Sequence, residues 1–265
     1  MPAIKGLEWT FDTVADKYEK LRPGYVGELY QRLFEYIPLD ENSVAVEVGS
    51  GGGQATAPVL KTGCRLIAVE YGERFSRLLK EKFKEYPKLS VITGRFEDVR
   101  LEDDAFDLVF SASAFHWVPE KLGYEKAFSI LKSGGAFARF ANHPYRDKGK
   151  PELSERIDEL YGKYYYTFHD KKQEIPREYT EQQAIDRAMI AKKYGFTDIR
   201  YATFRRERSF SAEEYVALLG TYSDHIAIEE SVRRKFFEEI GEAINQHGGT
   251  YTVYDTIDLQ LARKP

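Results

Sequence analysis

A single cysteine, Cys64, stands among 265 residues. One thiol cannot close an intrachain disulfide, so a reducing, cytoplasmic setting is the simplest expectation. Long hydrophobic runs are missing as well. No stretch approaches the roughly 18 apolar residues that a membrane-spanning helix needs. The first twenty residues, MPAIKGLEWTFDTVADKYEK, lack the apolar segment of a secretory signal. A basic surplus is also absent: 39 lysines and arginines face 43 aspartates and glutamates, a formal charge of −4. That balance argues against a nucleic-acid partner, which usually meets a basic excess. His143, His169, His225 and His247 show no H-x-x-x-H spacing, so no metal site is expected. No G-x-S-x-G elbow follows a strand-like run. No Lys and Ser/Thr follow the glycines as in a P-loop. There is no internal repeat and no low-complexity tract.

What is present is a core. Apolar residues make up 42% and aromatic residues 14% of the chain, which excludes disorder for most of it. Val26, Leu29, Tyr30, Leu33, Phe34 and Ile37 recur at helical spacing before Pro38. Short apolar runs follow at 44–48, 65–70, 89–93, 106–113 and 136–141, with helical patterns between several of them. Strands alternating with helices imply right-handed crossovers and a parallel sheet, an α/β fold. Between 142 and 182 the regularity lapses into a tyrosine-loaded segment. It reads as a helical insertion, since a flexible linker would be rich in glycine and serine. Beyond it, Gly195 suits a helix end, and Ser211 with Glu214 forms a capping-box pair. In the last strand Ile257, Leu259 and Leu261 alternate with Asp258 and Gln260. The organisation expected is a single domain over 1–265, with an N-terminal helical cover at 1–40 and the insertion at 142–182.

The segment that carries chemistry is Val44-Ala-Val-Glu-Val-Gly-Ser-Gly-Gly-Gly-Gln-Ala55. A strand runs into glycines and then into a helix, and the end of a first strand in such a sheet is where nucleotides dock. Gly49 and Gly51 fit the dinucleotide fingerprint G-x-G-x-x-G, but position 54 is Gln54. The spacing is instead E-x-G-x-G-x-G over Glu47, Gly49, Gly51 and Gly53. A pyrophosphate favours a bare helix N-terminus. A zwitterionic sulfonium ligand without phosphate tolerates Glu47 beside the loop. Glu70, at the end of the second apolar run, suits ribose hydroxyls, because a carboxylate accepts two hydrogen bonds.

These residues resemble the class I S-adenosylmethionine-dependent methyltransferases, in the branch of type 11 and trans-aconitate methyltransferases. Glu47 to Gly53 is similar to that family's first motif, and Glu70 to its ribose-binding acid. Gly94-Arg-Phe-Glu97 sits where the family binds adenine, with Arg95 in place of a frequent aspartate. Phe106 to Ser113, followed by Ala-Phe-His-Trp117, resembles the fourth-strand motif. Leu131-Lys-Ser-Gly-Gly135 resembles the L-K-P-G-G turn. Tyr18 with Arg22-Pro-Gly-Tyr25 is similar to the segment that covers the cofactor. The resemblance implies a doubly wound, Rossmann-like seven-stranded sheet, mostly parallel with an antiparallel last strand and a helical insertion after strand 5. It implies S-adenosylmethionine as cofactor, held by Tyr18, Arg22, Glu47, Gly49, Gly51, Gly53, Glu70, Phe96, Glu97, Ser111 and Ala112.

The acceptor is expected to be a small molecule bound near Tyr25, Trp117 and Tyr165, with His116 as a candidate general base. Each side chain has a plainer alternative. Phe96 and Tyr18 can be core aromatics, His116 can be structural, and the insertion's tyrosines can simply pack it down. Arg205, Arg206 and Arg208 can meet an anion or form a solvated face. Two other functions stand beside the methyltransferase reading: a nicotinamide-dependent oxidoreductase, which the missing glycine at 54 disfavours, and a non-catalytic protein that binds the same cofactor. No Asn/Asp-Pro-Pro-Tyr/Phe signature for methylation of bases is present.

Overall fold

The structure is a computed structural model and describes residues 12–145, 149–174 and 176–265. The first eleven residues of the expected cover, and 146–148 and 175 of the expected insertion, lie outside the described residues. The chain forms two compact units. One comprises 1–22, 143–179 and 205–256, and the other 23–142, 180–204 and 257–265.

The larger unit begins with helix α2 (Gly27–Tyr36), which follows α1 (Ala15–Leu21) of the smaller one. Then come β1 (Val44–Val48), α3 (Thr56–Leu60), β2 (Arg65–Glu70), α4 (Glu73–Lys82), β3 (Leu89–Thr93), β4 (Phe106–Ala112), a 3-10 turn at Phe115–Trp117 and α5 (Glu120–Ile130). Strands β5 (Leu131–Tyr145), β6 (Thr197–Ser211) and β7 (Thr250–Arg263) each supply residues to both units, and α7 (Glu181–Met189) precedes β6. The sheet has seven strands in the order β3-β2-β1-β4-β5-β7-β6. β1 pairs in parallel with β2 and β4, β2 with β3, and β4 with β5, while the last strands are antiparallel. This is the doubly wound sheet that the alternating pattern predicts.

The strand period of two sorts side chains onto the two faces. Ala45, Leu66, Leu108, Phe110, Ala138 and Phe140 join Leu29, Leu33, Val59 and Leu79 in one buried cluster. Val46, Val48, Val109 and Phe137 join Phe115, Tyr124, Ala127 and Ile130 in the other. The helices on the two faces therefore hold the carboxyl ends of β1, β2 and β4 rigidly side by side. The last strand departs from its pattern. Its alternation suggests one polar, solvated face, yet Asp258 and Gln260 are both buried.

The smaller unit packs α6 (Pro151–Leu160), a π-helical continuation at Tyr161–Tyr166, α8 (Ala212–Leu219), α9 (Ser223–Ile226) and α10 (Glu230–Gln246). Leu153, Ile157, Leu160, Leu218, Phe236, Ile240 and Ile244 form its core. The capping box at Ser211 is present in both directions: Glu214 N–H donates to Ser211 Oγ at 3.2 Å, and Ser211 N–H to Glu214 Oε2 at 2.8 Å. Gly195 ends the helical turn after α7 in the left-handed conformation, φ 88°. A second capping box, Thr180 with Gln183, opens α7. Among the described residues, no helix is long and apolar enough to cross a membrane.

Candidate functional site

β1 delivers the chain into the glycine loop. Gly49 has φ +71°, and a Cβ built there would lie 2.4 Å from the Ala114 Cβ. Only glycine allows the loop to turn this close to the segment that follows β4. Gly49 N–H donates to the Val69 carbonyl at 2.8 Å, which ties the loop to β2. Gly53, φ +79°, has a different cause. Its Cβ would meet the Phe83 ring at 2.6 Å, so that glycine lets α4 pack against the loop.

The two acids are placed differently. Glu70 closes the loop: Gly51 N–H donates to its Oε2 at 2.7 Å and Gly72 N–H to its Oε1 at 2.8 Å. A carboxylate has about four acceptor positions, so it can hold backbone amides and ligand hydroxyls together. Glu47 is fully buried. Thr56 Oγ1 donates to its Oε2 at 2.6 Å, and the buried Ser50 hydroxyl stands beside the same carboxyl. Burial pushes the Glu47 carboxyl up to about 8, against the pull of the Thr56 hydroxyl. Burial therefore favours the protonated form of Glu47, against the pull of the Thr56 and Ser50 hydroxyls. Thr56 has no counterpart in the sequence reading. Its signal was a hydroxyl nine residues after a buried acid.

The end of β4 assembles the next group. Ser111 is buried and donates through Oγ to the Val48 carbonyl at 2.8 Å, locking β4 to β1. Ala112 follows, half-buried. Ser113 adopts φ 55°, a left-handed conformation rare outside glycine. Its Oγ lies 2.8 Å from the Tyr25 hydroxyl, and the Tyr25 ring meets Phe140 edge-on at 4.8 Å. Tyr25 is thus brought to the carboxyl end of β4. His116 is exposed and Trp117 half-buried, with ring centroids 5.2 Å apart. Phe96 is packed in the core cluster with the Lys126 ammonium 5.1 Å from its ring centroid. Glu97 is half-buried beside it.

The remaining expected residues belong to the smaller unit. Arg22 donates from Nε to Thr221 Oγ1 at 2.9 Å and from Nη2 to the Thr221 carbonyl at 3.0 Å. Its guanidinium lies 3.7 Å from the Tyr222 ring centroid and 5.0 Å from that of Tyr18. Tyr165 is 1% exposed and donates its hydroxyl to Asp224 Oδ2 at 2.7 Å. His225, also buried, bridges Asp224 Oδ1 at 2.8 Å and the Tyr161 hydroxyl at 3.0 Å. Burial alone would raise the Asp224 carboxyl, but the neighbouring His225 and the bonds from His225 and Tyr165 hold it well below the usual range. Burial and the Asp224 charge push the Tyr165 hydroxyl far up. This polar network was not read from the sequence, because Asp224 and His225 lie about sixty positions from the tyrosines they bind. Arg206 and Arg208 both bind the buried Asp255, at 3.0 and 2.7 Å. These two arginines are therefore not merely solvated. Among the described residues, no group of three or more His, Cys, Asp or Glu side chains is placed to hold a metal.

Comparison with known proteins supports a reading of this site. Residues 46–138 match a family described as a methyltransferase domain. An uncharacterized methyltransferase-like protein of Schizosaccharomyces pombe is 26% identical over 234 residues, 88% of this chain and 85% of the relative. A solved structure assigned as a type II methyltransferase from Anaeromyxobacter dehalogenans superposes with a TM-score of 0.65 at 22% identity, covering 91% of this chain and 97% of that one. A phosphoethanolamine N-methyltransferase of Haemonchus contortus, solved with S-adenosylhomocysteine, gives a TM-score of 0.55 at 16% identity, over 96% of this chain and 57% of that one. The structural likenesses show the fold. The family match covers the strands that carry the glycine loop.

Proposed function

We propose that this protein transfers a methyl group from S-adenosylmethionine to a small-molecule acceptor, as a member of the type 11 and trans-aconitate-like branch. The observation that carries the reading is the Glu70 carboxylate bound to Gly51 N–H across the mouth of the glycine loop. It joins an acceptor of sugar hydroxyls to a loop that glycine keeps open.

The residues present fit the cofactor. Glu70 would take the ribose hydroxyls. Glu47 and Ser50 place buried polar groups at the glycine loop. Gly49 would let the backbone lie close to it. Glu97 and Phe96 would face the adenine end, and Ser111 and Ala112 the amino-acid end. When bound, the cofactor supplies an electrophilic methyl carried on a sulfonium.

This chain's own contribution is chiefly placement. Holding an acceptor atom in line with a methyl group removes most of the entropic barrier of a displacement. His116, exposed beside Trp117 after β4, is the residue to take a proton from a hydroxyl or amine acceptor. Tyr25, fixed through Ser113, and Trp117 would line the acceptor's place. A protonated Glu47, the form that burial favours, adds no negative charge and so leaves ligand recognition to Glu70. The net charge of −4 supports a small acceptor over a nucleic acid, since no broad positive field is present. The single cysteine supports a cytoplasmic setting.

One expected result follows at the ribose site. Glu70→Gln keeps the shape but turns one acceptor into a donor facing a backbone amide. It should weaken S-adenosylhomocysteine binding by about 1–3 kcal/mol, read by calorimetry, and equal affinity in the two proteins would contradict the assignment. The reaction itself is tested by incubating the protein with methyl-labelled S-adenosylmethionine and a metabolite extract. Label in one low-molecular-weight product is the result expected. Label only in protein, DNA or RNA would overturn the small-molecule reading.

A further inference from the structure

Glu70 ends β2, and the residue after it, Tyr71, is a large ring left 45% exposed. Thr93, the last residue of β3, pairs in register with Glu70, and Gly94 N–H donates to the Glu70 carbonyl at 2.9 Å. Arg95 therefore leaves the sheet next to Tyr71. Its guanidinium lies 4.5 Å from the Tyr71 ring centroid, the face-on contact in which a planar cation stacks on an aromatic ring. Among the described residues, the Arg95 side chain forms no ion pair and no hydrogen bond. A half-buried cation at the carboxyl edge of the sheet is thus placed by a ring alone.

The turn that carries Arg95 is held in one shape. Asp98 and Val99 N–H donate to the Arg95 carbonyl at 3.0 and 3.1 Å. Lys126 of α5 donates from Nζ to the Glu97 carbonyl at 3.3 Å and to the Val99 carbonyl. Phe96 is only 3% exposed and packs into the core with the Lys126 ammonium 5.1 Å from its ring centroid. The two acids of the turn, Glu97 and Asp98, both act on that ammonium. Their charge therefore has a cation at hand, while Arg95 has no carboxylate. The surface open at this edge is Tyr71 with Arg95, and not Phe96.

The place of this pair gives it a ligand. Glu70 takes the Gly51 amide, so the glycine loop occupies the β1 side of the ribose acid. Tyr71 and Arg95 stand on its β3 side, and a base carried on a ribose at Glu70 has those two side chains to meet. A guanidinium has N–H donors and no acceptor. It cannot take a hydrogen bond from the 6-amino group of adenine, but its fork matches the neighbouring O6 and N7 acceptors of a 6-oxopurine. We propose that Arg95, held on the Tyr71 ring, reads the cofactor's purine through donated bonds alone, so that the site does not select the 6-amino group and takes a hypoxanthine form of the cofactor at least as well as the adenine form. The inference rests on the proposed methyltransferase reading and sets the specificity of its base subsite.

The test is calorimetric titration of the whole chain with S-adenosylhomocysteine and with S-inosylhomocysteine, which differ only at the purine. Wild type should bind the inosine form at least as tightly as the adenosine form. Arg95→Asp puts an acceptor where the donors were and should favour the adenosine form by about tenfold, the discrimination of one good pair of bonds to a base edge. Arg95→Met, with neither donor nor acceptor there, should fall between the two. Glu97→Gln should keep the wild-type ratio. A variant that merely loosens the fold weakens both ligands alike and leaves the ratio where it was. A ratio unmoved by both Arg95 substitutions, or moved by Glu97→Gln instead, would overturn the proposal. Wild type binding the adenosine form alone would leave the cofactor reading standing and remove this one, and binding of neither ligand would remove both.

Discussion

Gly49→Ala is expected to abolish cofactor-analogue binding and to destabilise the fold by about 2–5 kcal/mol. Two independent costs add. A left-handed residue with a Cβ costs about 1–2 kcal/mol, and Gly49 has φ +71°. The new methyl would stand 2.4 Å from the Ala114 Cβ, far inside van der Waals contact. Ala114 sits on short-range backbone between β4 and the Phe115 turn, so relief requires moving main chain rather than rotating a side chain. Overpacking of that kind typically costs about 1–3 kcal/mol. The moved segment carries Ser113, His116 and Trp117, so ligand binding should fail beyond what the stability loss explains. Denaturant unfolding and calorimetry with S-adenosylhomocysteine read the two effects separately. A variant as stable as wild type that still binds would show that the loop does not need this close approach.

Glu47→Gln is expected to remove a slope from the stability–pH profile. Glu47 is fully buried, and burial raises it from 4.5 to about 8. In the unfolded chain it releases its proton near the lower value, and in the folded protein near the higher one. Between them the folded state holds the extra proton, so stability falls as pH rises from about 4.5 to 8. Each pH step of one across that window removes roughly 1.4 kcal/mol, so the loss is on the order of 3–5 kcal/mol by pH 8. Glutamine keeps an acceptor for Thr56 Oγ1 and carries no charge to bury. The variant should therefore match wild type near pH 5 and become progressively more stable than it toward pH 8. Parallel profiles for the two proteins would show that Glu47 does not hold its proton in the fold. The same neutrality bears on function, because a charged Glu47 beside Glu70 would put two negative charges at one loop.

How much of this was legible beforehand follows from the range over which each signal acts. The glycine loop, the acid at the end of β2, the left-handed Gly195 and the Ser211–Glu214 box are local, set by residues within four or five positions or by a strand and its turn. They stand in the structure where the sequence puts them. The parallel sheet follows from alternation of short apolar runs with helices, again a local pattern repeated. What escaped was long-range and polar. Asp258 and Gln260 alternate with Ile257, Leu259 and Leu261 as on a solvated face. They are both buried, and Arg187 of α7, some seventy positions earlier, reaches Asp258. Tyr165 reads as an acceptor contact by composition. Its hydroxyl is instead committed to Asp224, a partner that no local pattern could supply. Arg22 likewise finds Thr221 across 199 positions.

The central claim, that the loop at Gly49–Gly53 with Glu70 holds S-adenosylmethionine, is tested most directly by calorimetric titration of the wild-type chain with S-adenosylhomocysteine and, separately, with NADH. Saturable one-to-one binding of S-adenosylhomocysteine with none of NADH is the result expected. Binding of NADH alone, or of neither, would contradict it.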